Sequence, residues 1–398
     1  MTEGIDRILC LASQVQGQAF LRQCAELGIR PTLLTLDPLR DADWPRDVLE
    51  ELASMPTGLS VEQVLNTVSW MSRGHRYDRV VALDNADLPL AAQLREHMRI
   101  PGMGLTTAGY YRDRLAMLTG AREAGFAVPE FTRVLNYDEL RSFMQRVPSP
   151  WHLEPRCGTR GVVRRSEDPE SLWRQLDELG DAQSRHLLMQ MLPGEVYRVS
   201  AVLCEGRVLF SVVCHMAMTQ TGERLQNGAQ ASFVVPRESR AWMELTALNA
   251  GLAPALGMAR GVTEAEFLRT GDGRWLFLEI TAPVCAPWSV EVVEAASGVN
   301  LWREWARLEA AQIRGENYLL PESWDYYAGH LSDLRPQEQE ELEVLRDRSI
   351  VLRTDDRGLL LRSEKPEPII RLVDSFLHRR REQDAQPEAE LTATPTNG

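Results

Sequence analysis

The sequence is almost devoid of lysine. Of its 44 basic residues, Lys365 is the single lysine and the others are arginines. An arginine carries a planar, always charged guanidinium, whereas a lysine carries a compact ammonium that acts as a point charge. Tasks that a lysine ammonium performs in other proteins must therefore be performed in this chain almost entirely by arginine.

Other absences narrow the class of protein. No stretch reaches the roughly 18 consecutive apolar residues that a membrane helix needs, and the first residues lack a basic segment followed by a long apolar run. We therefore expect a cytoplasmic protein that does not act in a membrane. The six cysteines form no CxxC pair and no zinc-spaced cluster, which favours reduced, buried thiols. The net charge of −13 argues against general nucleic-acid binding.

Strands alternate with helices in the first hundred residues, as in a parallel sheet with crossover helices. Apolar runs predict three strands, at 7–11, 31–36 and 79–83. Amphipathic segments predict helices at 18–27 and 60–73. There is no GxGxxG, so dinucleotide binding is not indicated. Residues 1–105 are predicted to form a Rossmann-like α/β domain.

The pattern changes at residue 186, where strand-like segments follow one another directly. Gly206 and the run 271–273 supply turn residues between two pairs of them, which indicates an antiparallel α+β unit. The remaining divisions are an entry helix at 106–125, lobes at 126–185 and 186–310, a mixed appendage at 311–381 and a polar, disordered tail at 382–398.

Four segments in order carry the candidate chemistry. The first is a helix around Arg114 followed by GFAVPE, and the second is the glycine-containing stretch WHLEPRCGTRGV at 151–162. The third is LLMQMLPGEVY at 187–197. The fourth joins GVTEAEF at 261–267 with FLEITA at 277–282, where acidic residues interrupt apolar runs. A carboxylate in an apolar strand is costly unless it has a partner, so a metal or a cation is expected beside Glu266 and Glu279.

In this order and at these intervals, the segments resemble those of the ATP-grasp superfamily, which includes carboxylate–amine or carboxylate–thiol ligases and biotin carboxylase. The resemblance covers residues 106–310. It implies a two-lobed ATP-grasp domain behind a Rossmann-like one. It also implies ATP and Mg²⁺ as cofactors, with a small-molecule carboxylate and an amine or thiol as substrates. Assembly as a homodimer is left open.

The resemblance also implies residue roles. Backbone groups of Gln190, Met191 and Leu192 would contact adenine, and Glu195 would contact the ribose. Glu266, Glu279 and Thr281 would be the magnesium ligands. The phosphate-side positions are Arg114, Glu154, Arg156, Gly158, Arg160 and Gly161. Glycines there allow backbone N–H groups to point at an anion.

Three positions depart from the family pattern. Glu154 stands where the family has a phosphate-binding lysine, Thr281 replaces an asparagine ligand, and Pro283 replaces an arginine that stabilises the transferred phosphate. An oriented charge donor is worth about 3 kcal/mol in a transition state, so losing two should weaken phosphoryl transfer unless other arginines replace them. The replacements available nearby are Arg114, Arg156, Arg160 and Arg164.

Two interpretations follow. In the first, ATP phosphorylates the substrate carboxylate, and the amine or thiol displaces phosphate from the acylphosphate. In the second, the scaffold has lost this chemistry and acts as a nucleotide sensor or a partner-binding subunit. Three further residues are more simply explained by structural roles than by ligand binding. Asp84 and Asp87 follow a predicted strand and are consistent with helix capping, and His215 is consistent with a structural role.

Overall fold

Three β-sheets with helices packed against them make up the fold. The structure, a computed structural model, describes residues 5–158, 163–217, 231–284, 286–332, 334, 351–355 and 358–384. Within these ranges, none of the helices combines the length and the apolar character required to cross a bilayer.

The first sheet is parallel and has the strand order β3-β2-β1-β4. Its strands are β1 (Arg7–Ala12), β2 (Arg30–Leu36), β3 (Glu51–Met55) and β4 (Arg79–Ala82). Its helices are α1 (Gln18–Glu26), α2 (Val61–Met71) and α3 (Leu88–Met98). The predicted α/β class of this region is confirmed. The edge strand β3 was missed because its residues show no long apolar run.

Two short helices, α4 (Leu105–Tyr110) and α5 (Arg114–Glu123), occupy the region predicted as one entry helix. The helical conformation is interrupted between them because Asp113 caps α5, where its side chain accepts a hydrogen bond from the Leu115 amide. Tyr111, fully buried at this break, donates its hydroxyl proton to the carbonyl of Ala253. The break fixes Arg114 as the first residue of α5.

The second sheet is small and antiparallel, with the strand order β5-β8-β6-β7. Its strands are β5 (Phe131–Arg133), β6 (Trp151–Pro155), β7 (Arg164–Ser166) and β8 (His186–Gln190). Helices α6 (Tyr137–Arg146) and α7 (Pro169–Leu179) cover one face and share a separate apolar core with it.

The third sheet has eight strands, ordered β13-β12-β9-β10-β11-β14-β16-β15, and all seven neighbouring pairs are antiparallel. The strands are β9 (Gly194–Cys204), β10 (Arg207–Ala217), β11 (Ala231–Val234), β12 (Gly261–Thr270), β13 (Trp275–Thr281), β14 (Tyr327–Ser332), β15 (Val351–Asp355) and β16 (Gly358–Ser363). The helices that follow or connect them are α8 (Arg240–Ala255), α9 (Ser289–Ser297), α10 (Leu301–Arg314) and α11 (Pro366–Asp384).

The strands of the C-terminal segment extend this same sheet. β14 pairs with β11, and β16 and β15 follow it outward, so one hydrogen-bonded sheet runs from residue 194 to residue 363. The helix α11 reaches Asp384, and the rest of the tail predicted to be disordered lies outside the described residues. The proposed domain boundaries at 105 and 310 stay predictions.

The eight-stranded sheet has an apolar face and a polar face along β12 and β13. Ala265, Phe267 and Phe277 are buried on the first, where the two phenyl rings lie 5.8 Å apart. The register shifts by one residue between Glu266 and Phe267, so Phe267 faces Phe277 while Glu266 faces Glu279. The packing of Phe267 against Phe277 on the apolar face therefore goes together with the pairing of Glu266 and Glu279 on the polar face.

Phe277→Ala is expected to destabilise the protein by about 3–5 kcal/mol, because it leaves a cavity among fully buried side chains. The measurement is urea-induced unfolding followed by circular dichroism. Trp70→Ala is the matched control, since the Trp70 side chain is 66% exposed and its loss should cost far less. Equal losses in the two variants would contradict this description of the core.

Candidate active site

Arg114 lies between the two antiparallel sheets and joins them. Its Nη1 lies 2.8 Å from Oε2 of Glu154 on β6 and 3.4 Å from Oε2 of Glu279 on β13. Glu154 is buried, and Arg114 and Glu279 are each 17% exposed in their side chains. Arg114 Nε is buried and has no hydrogen-bond partner in the part of the chain that the structure describes. One guanidinium thus meets carboxylates from both lobes of the predicted site.

Arg156 holds the start of α5 in place. Its Nε and Nη2 donate to the two carboxylate oxygens of Asp113, at 3.1 and 2.5 Å. Its backbone carbonyl accepts from the Arg114 amide at 2.8 Å. The hydrogen bonds to Asp113 raise the pKa of the Arg156 guanidinium. Arg156 was predicted to lie on the phosphate side. Its guanidinium instead binds Asp113, the residue that caps the helix carrying Arg114.

The polar face of the sheet brings the predicted metal ligands together. Glu266 on β12 lies directly opposite Glu279 on β13, and Glu264 lies opposite Thr281. Arg198, on the neighbouring strand β9, pairs with Glu266 at 2.8 Å between Nη2 and Oε1. The sequence predicted a metal or a cation beside these two carboxylates. The structure shows an arginine beside each: Arg198 pairs with Glu266 and Arg114 with Glu279.

Two residues of this face escaped the sequence-based prediction. Arg198 is the basic residue of an otherwise apolar stretch, VYRVSAV, and its isolation there was the available signal. Glu264 is 3% exposed and accepts hydrogen bonds from the Ala286 amide, at 3.0 Å, and from the Ser289 hydroxyl. Only the pairing of β9, β12 and β13 shows that these residues share a face with Glu266 and Glu279.

The segment predicted to contact adenine follows the end of β8. The Gln190 amide donates to the carbonyl of Glu130 at 2.7 Å, and the Met191 amide donates to the carbonyl of Pro150 at 3.1 Å. Leu192 makes no such bond within the described part of the chain. Of the three predicted amides, the Leu192 amide is therefore the one available to a base.

Glu195 lies at the start of β9 and is solvent accessible, with 56% of its side chain exposed. Its Oε2 accepts a hydrogen bond from the Tyr197 hydroxyl at 3.2 Å and lies 3.9 Å from Nη1 of Arg269. An accessible carboxylate directly after the adenine segment is consistent with the predicted ribose contact.

The glycine-containing segment is described only in part. Gly158 is exposed, with φ of +129°, a conformation that side-chain-bearing residues rarely adopt. Arg160 and Gly161, the other two predicted positions in this segment, lie outside the described residues. Arg164, on β7, pairs with Glu178 of α7 at 2.7 Å, so its charge is already matched.

A second polar group lies at the carboxyl end of β4. Asp84 caps the short turn that follows, accepting from the Ala86 amide, as the capping interpretation predicted. For Asp87 the capping interpretation is wrong: it precedes α3 but makes no side-chain hydrogen bond to that helix, and its carboxylate accepts from both the amide and the hydroxyl of Ser13. Burial raises the pKa of the Asp87 carboxyl to about 6, although these hydrogen bonds act in the opposite direction.

His215 lies on the opposite face of the sheet from Arg198. Its ring packs between Tyr197 and Phe233, at centroid distances of 4.8 and 5.2 Å. Burial lowers its pKa, and neither ring nitrogen has a hydrogen-bond partner among the residues that the structure describes. These contacts are those of a packed core residue, in line with the structural interpretation.

The donor set suits magnesium better than a softer metal. No cluster of three or more His, Cys, Asp or Glu side chains exists among the described residues. Glu266 and Glu279 nevertheless face each other, with Thr281 at the end of the same strand. Mg²⁺ commonly takes one or two carboxylates and fills its other positions with phosphate oxygens and water. These residues fit such an ion, provided that phosphates replace the carboxylates as partners of Arg114.

Comparison with known proteins establishes the fold. This chain has the ATP-grasp fold: it superposes on the L-amino acid ligase from Bacillus licheniformis with a TM-score of 0.72 and 15% identity, over 95% of this chain and 97% of that one. It also superposes on the biotin carboxylase domain of the Hydrogenobacter thermophilus 2-oxoglutarate carboxylase, whose structure contains MgADP and bicarbonate. There the TM-score is 0.63 and the identity 14%, over 83% of this chain and 76% of that one.

At the level of sequence, the chain is 21% identical over 236 residues to the L-arginine-specific L-amino acid ligase of Bacillus subtilis. The match covers 57% of this chain and 56% of that protein, so it spans little more than half of the relative's length. No family model matches the chain.

The raised pKa of Asp87 predicts a pH dependence of stability. The folded state keeps the proton up to about pH 6, whereas the unfolded chain releases it near pH 4, so the free energy of unfolding falls as the pH rises through this interval. Asp87→Asn should remove about 2–3 kcal/mol of this pH-dependent change in the free energy of unfolding. Urea unfolding at pH 4 and pH 6.5 measures it, with Asp47→Asn as the exposed control. An unchanged slope in Asp87→Asn would contradict the assignment.

Proposed function

We propose that this protein binds ATP and Mg²⁺ and joins a small-molecule carboxylate to an amine or thiol. The observation that carries the proposal is the facing pair Glu266 and Glu279, with Arg114 and Arg198 beside them at the junction of two sheets. Carboxylates for a metal and guanidinium groups for phosphates are the groups that phosphoryl transfer requires. The similarity to two L-amino acid ligases supports an amino acid as one substrate.

Arg114 has a defined role in this proposal. Its guanidinium pairs with Glu154 and with Glu279. Phosphate oxygens are competing acceptors for a guanidinium, and binding them would release Glu279 toward the metal. The pairing with Glu154 also means that this carboxylate, which replaces a phosphate-binding lysine, is neutralised by a protein cation.

Arg198 would supply a buried cation in a chain that has Pro283 in place of the family's arginine. It is 8% exposed and lies across the strand pair from Glu266, so its guanidinium is held in a poorly solvated position. A pre-oriented charge in such a position stabilises negative charge that develops on a transferred phosphate without reorganisation. Bound Mg²⁺, held by Glu266 and Glu279, would neutralise the phosphates and polarise the transferred one.

The adenine would lie against the end of β8, with the Leu192 amide as its backbone donor and Glu195 near the ribose. The proposed adenine contact stays in the predicted segment. Only the Leu192 amide is proposed as the donor, because the amides of Gln190 and Met191 already donate to protein carbonyls. Gly158 begins the segment that would close over the phosphates.

Ligase activity is tested by phosphate release over a panel of L-amino acids, singly and in pairs, with MgATP. Arg198→Met should lower kcat by about 10²–10³-fold, the effect of removing one pre-oriented charge donor. Arg274→Met is the matched control, because Arg274 lies in the β12–β13 turn with its side chain 71% exposed. Circular dichroism and the thermal shift with MgATP verify folding and nucleotide binding in both variants. No stabilisation of the wild type by MgATP would overturn the proposal.

The alternative, a scaffold that binds nucleotide without transferring phosphate, is favoured by one observation: Glu154 occupies the lysine position and engages Arg114. Under this alternative MgATP stabilises the protein, yet no phosphate is released with any substrate in the panel.

Glu154→Lys is expected to raise the affinity for ATP about tenfold or more. The change removes a carboxylate that competes for Arg114 and adds a cation beside the phosphates. Isothermal titration with a non-hydrolysable ATP analogue measures the effect, and Glu154→Gln, which removes the charge alone, should give a smaller gain. A lower affinity in Glu154→Lys would contradict the placement of β6 beside the phosphates.

A further inference from the structure

Arg112 carries a guanidinium that solvent reaches and that no described residue binds. It lies at the break between α4 and α5, two residues before Arg114. Within the described ranges its side chain makes neither a hydrogen bond nor an ion pair, whereas Arg114 and Arg156 are both paired. The Arg112 side chain is half-buried, and none of its nitrogens is shielded from solvent. A ligand therefore reaches this cation without first displacing a protein carboxylate.

The break that carries Arg112 is joined to two other segments. The side-chain amide of Asn85 donates to the carbonyl of Tyr111 at 2.8 Å and to that of Ala282 at 3.2 Å. Asn85 lies in the turn after β4, and Ala282 directly follows β13, the strand that carries Glu279. Arg112 therefore lies where the parallel sheet meets the strand of a proposed metal ligand.

The parallel sheet has its topological switch point between β1 and β4. These strands are neighbours, yet β1 leads to β2 on one side, while β4 is entered from β3 at the far edge of the sheet. Ligands of open α/β sheets bind outside the carboxyl ends of the strands at such a point. Ser13 follows β1 and Asp87 lies beyond β4, and their side chains hydrogen-bond to each other. Burial raises the pKa of the Asp87 carboxyl and the Arg112 guanidinium opposes the rise, so this cation lies near the switch point.

The charges around Arg112 favour a zwitterion over an anion. Asp113 needs no further cation, because Arg156 donates to both of its carboxylate oxygens. Asp84 and Asp87 are 4% and 6% exposed, and neither forms an ion pair with a described residue. A ligand with negative charge alone would be attracted by Arg112 and repelled by these two carboxylates, and a polyphosphate would be repelled most. A free α-amino acid avoids the conflict, because its ammonium group compensates the carboxylates while its own carboxylate binds the guanidinium.

We infer that Arg112 binds the carboxylate of a free α-amino acid that serves as the amine substrate. The inference rests on the proposed ligase function and names the class of the second substrate. The first substrate is phosphorylated on its carboxylate, whereas the second keeps its carboxylate and needs a cation apart from the metal. Arg112 supplies that cation, since Arg114 and Arg198 pair with the carboxylates of the proposed metal site.

The reaction then joins two amino acids through an amide bond. The amine nitrogen of the second substrate bonds to the acyl carbon as the bond between that carbon and the phosphate oxygen breaks. The phosphate leaves with the electron pair, and the ammonium group loses two protons, to phosphate and to water. Arg112 touches no reacting atom and acts by binding and orienting the second substrate.

The test separates formation of the acylphosphate from its capture by the amino acid. Hydroxylamine has no carboxylate, and it displaces phosphate from an acylphosphate to give a hydroxamate. With MgATP and a panel of L-amino acids as first substrate, Arg112→Met should form hydroxamate as fast as the wild type. With an amino acid as the amine substrate, the variant should show a KM for it about tenfold to hundredfold higher, the loss expected for hydrogen bonds to a charged group. The KM for ATP should stay unchanged.

Matched compounds and variants locate the effect. The amide of the amine substrate lacks the carboxylate, so it should react poorly and equally with the wild type and with Arg112→Met. Arg112→Lys, which keeps the charge, should recover part of the loss. Arg260→Met is the matched control and should behave as the wild type does. Arg260 is also half-buried and without an ion pair in the described part of the chain, but it lies directly before β12, outside the proposed site.

The outcomes distinguish this inference from the proposed function. An unchanged KM for the amine substrate in Arg112→Met would overturn the inference and leave the ligase function standing. A higher KM for ATP in that variant would assign the guanidinium to phosphate and overturn it as well. Absence of both hydroxamate and phosphate release in the wild type would overturn the proposed function, and this inference with it. If Arg112→Met does not fold, the wild type still decides, because equal reaction of amino acid and amide contradicts the inference.

Discussion

The two ion pairs of Arg114 are the interaction on which the active-site region depends. Its guanidinium contacts Glu154 of the small sheet and Glu279 of the large sheet, at 2.8 and 3.4 Å, and so connects the two lobes at the point where a nucleotide would lie. The position of Arg114 follows from the break before α5, where Asp113 caps the helix and Arg156 holds Asp113. A capping interaction thus sets the distance between charges on different sheets.

The near absence of lysine gives this site its character. The family pattern places a lysine on β6, where this chain has Glu154, and the compensating cation comes from the entry helix as Arg114. Both ion pairs are made by Nη1 of Arg114, so a single nitrogen of the guanidinium serves two carboxylates. Arg198 of β9 likewise pairs with Glu266 of the neighbouring strand β12. The carboxylates that would hold a metal are therefore each paired with an arginine.

The sequence by itself determined many of the strands and helices, the ATP-grasp resemblance and the candidates Arg114, Glu266 and Glu279. These depend on local patterns: apolar periodicity, glycine positions, and charges that interrupt apolar runs. The tertiary structure alone decided how Glu154 is compensated, that Arg156 clamps Asp113, that Arg198 and Glu264 share the face of the predicted ligands, and that Leu192 keeps an available amide. Each of these depends on strand register or on contacts between residues distant in the chain, which local patterns do not encode. The continuation of the large sheet through β14 to β16 belongs to the same category, because pairing between distant strands is fixed only when the chain folds.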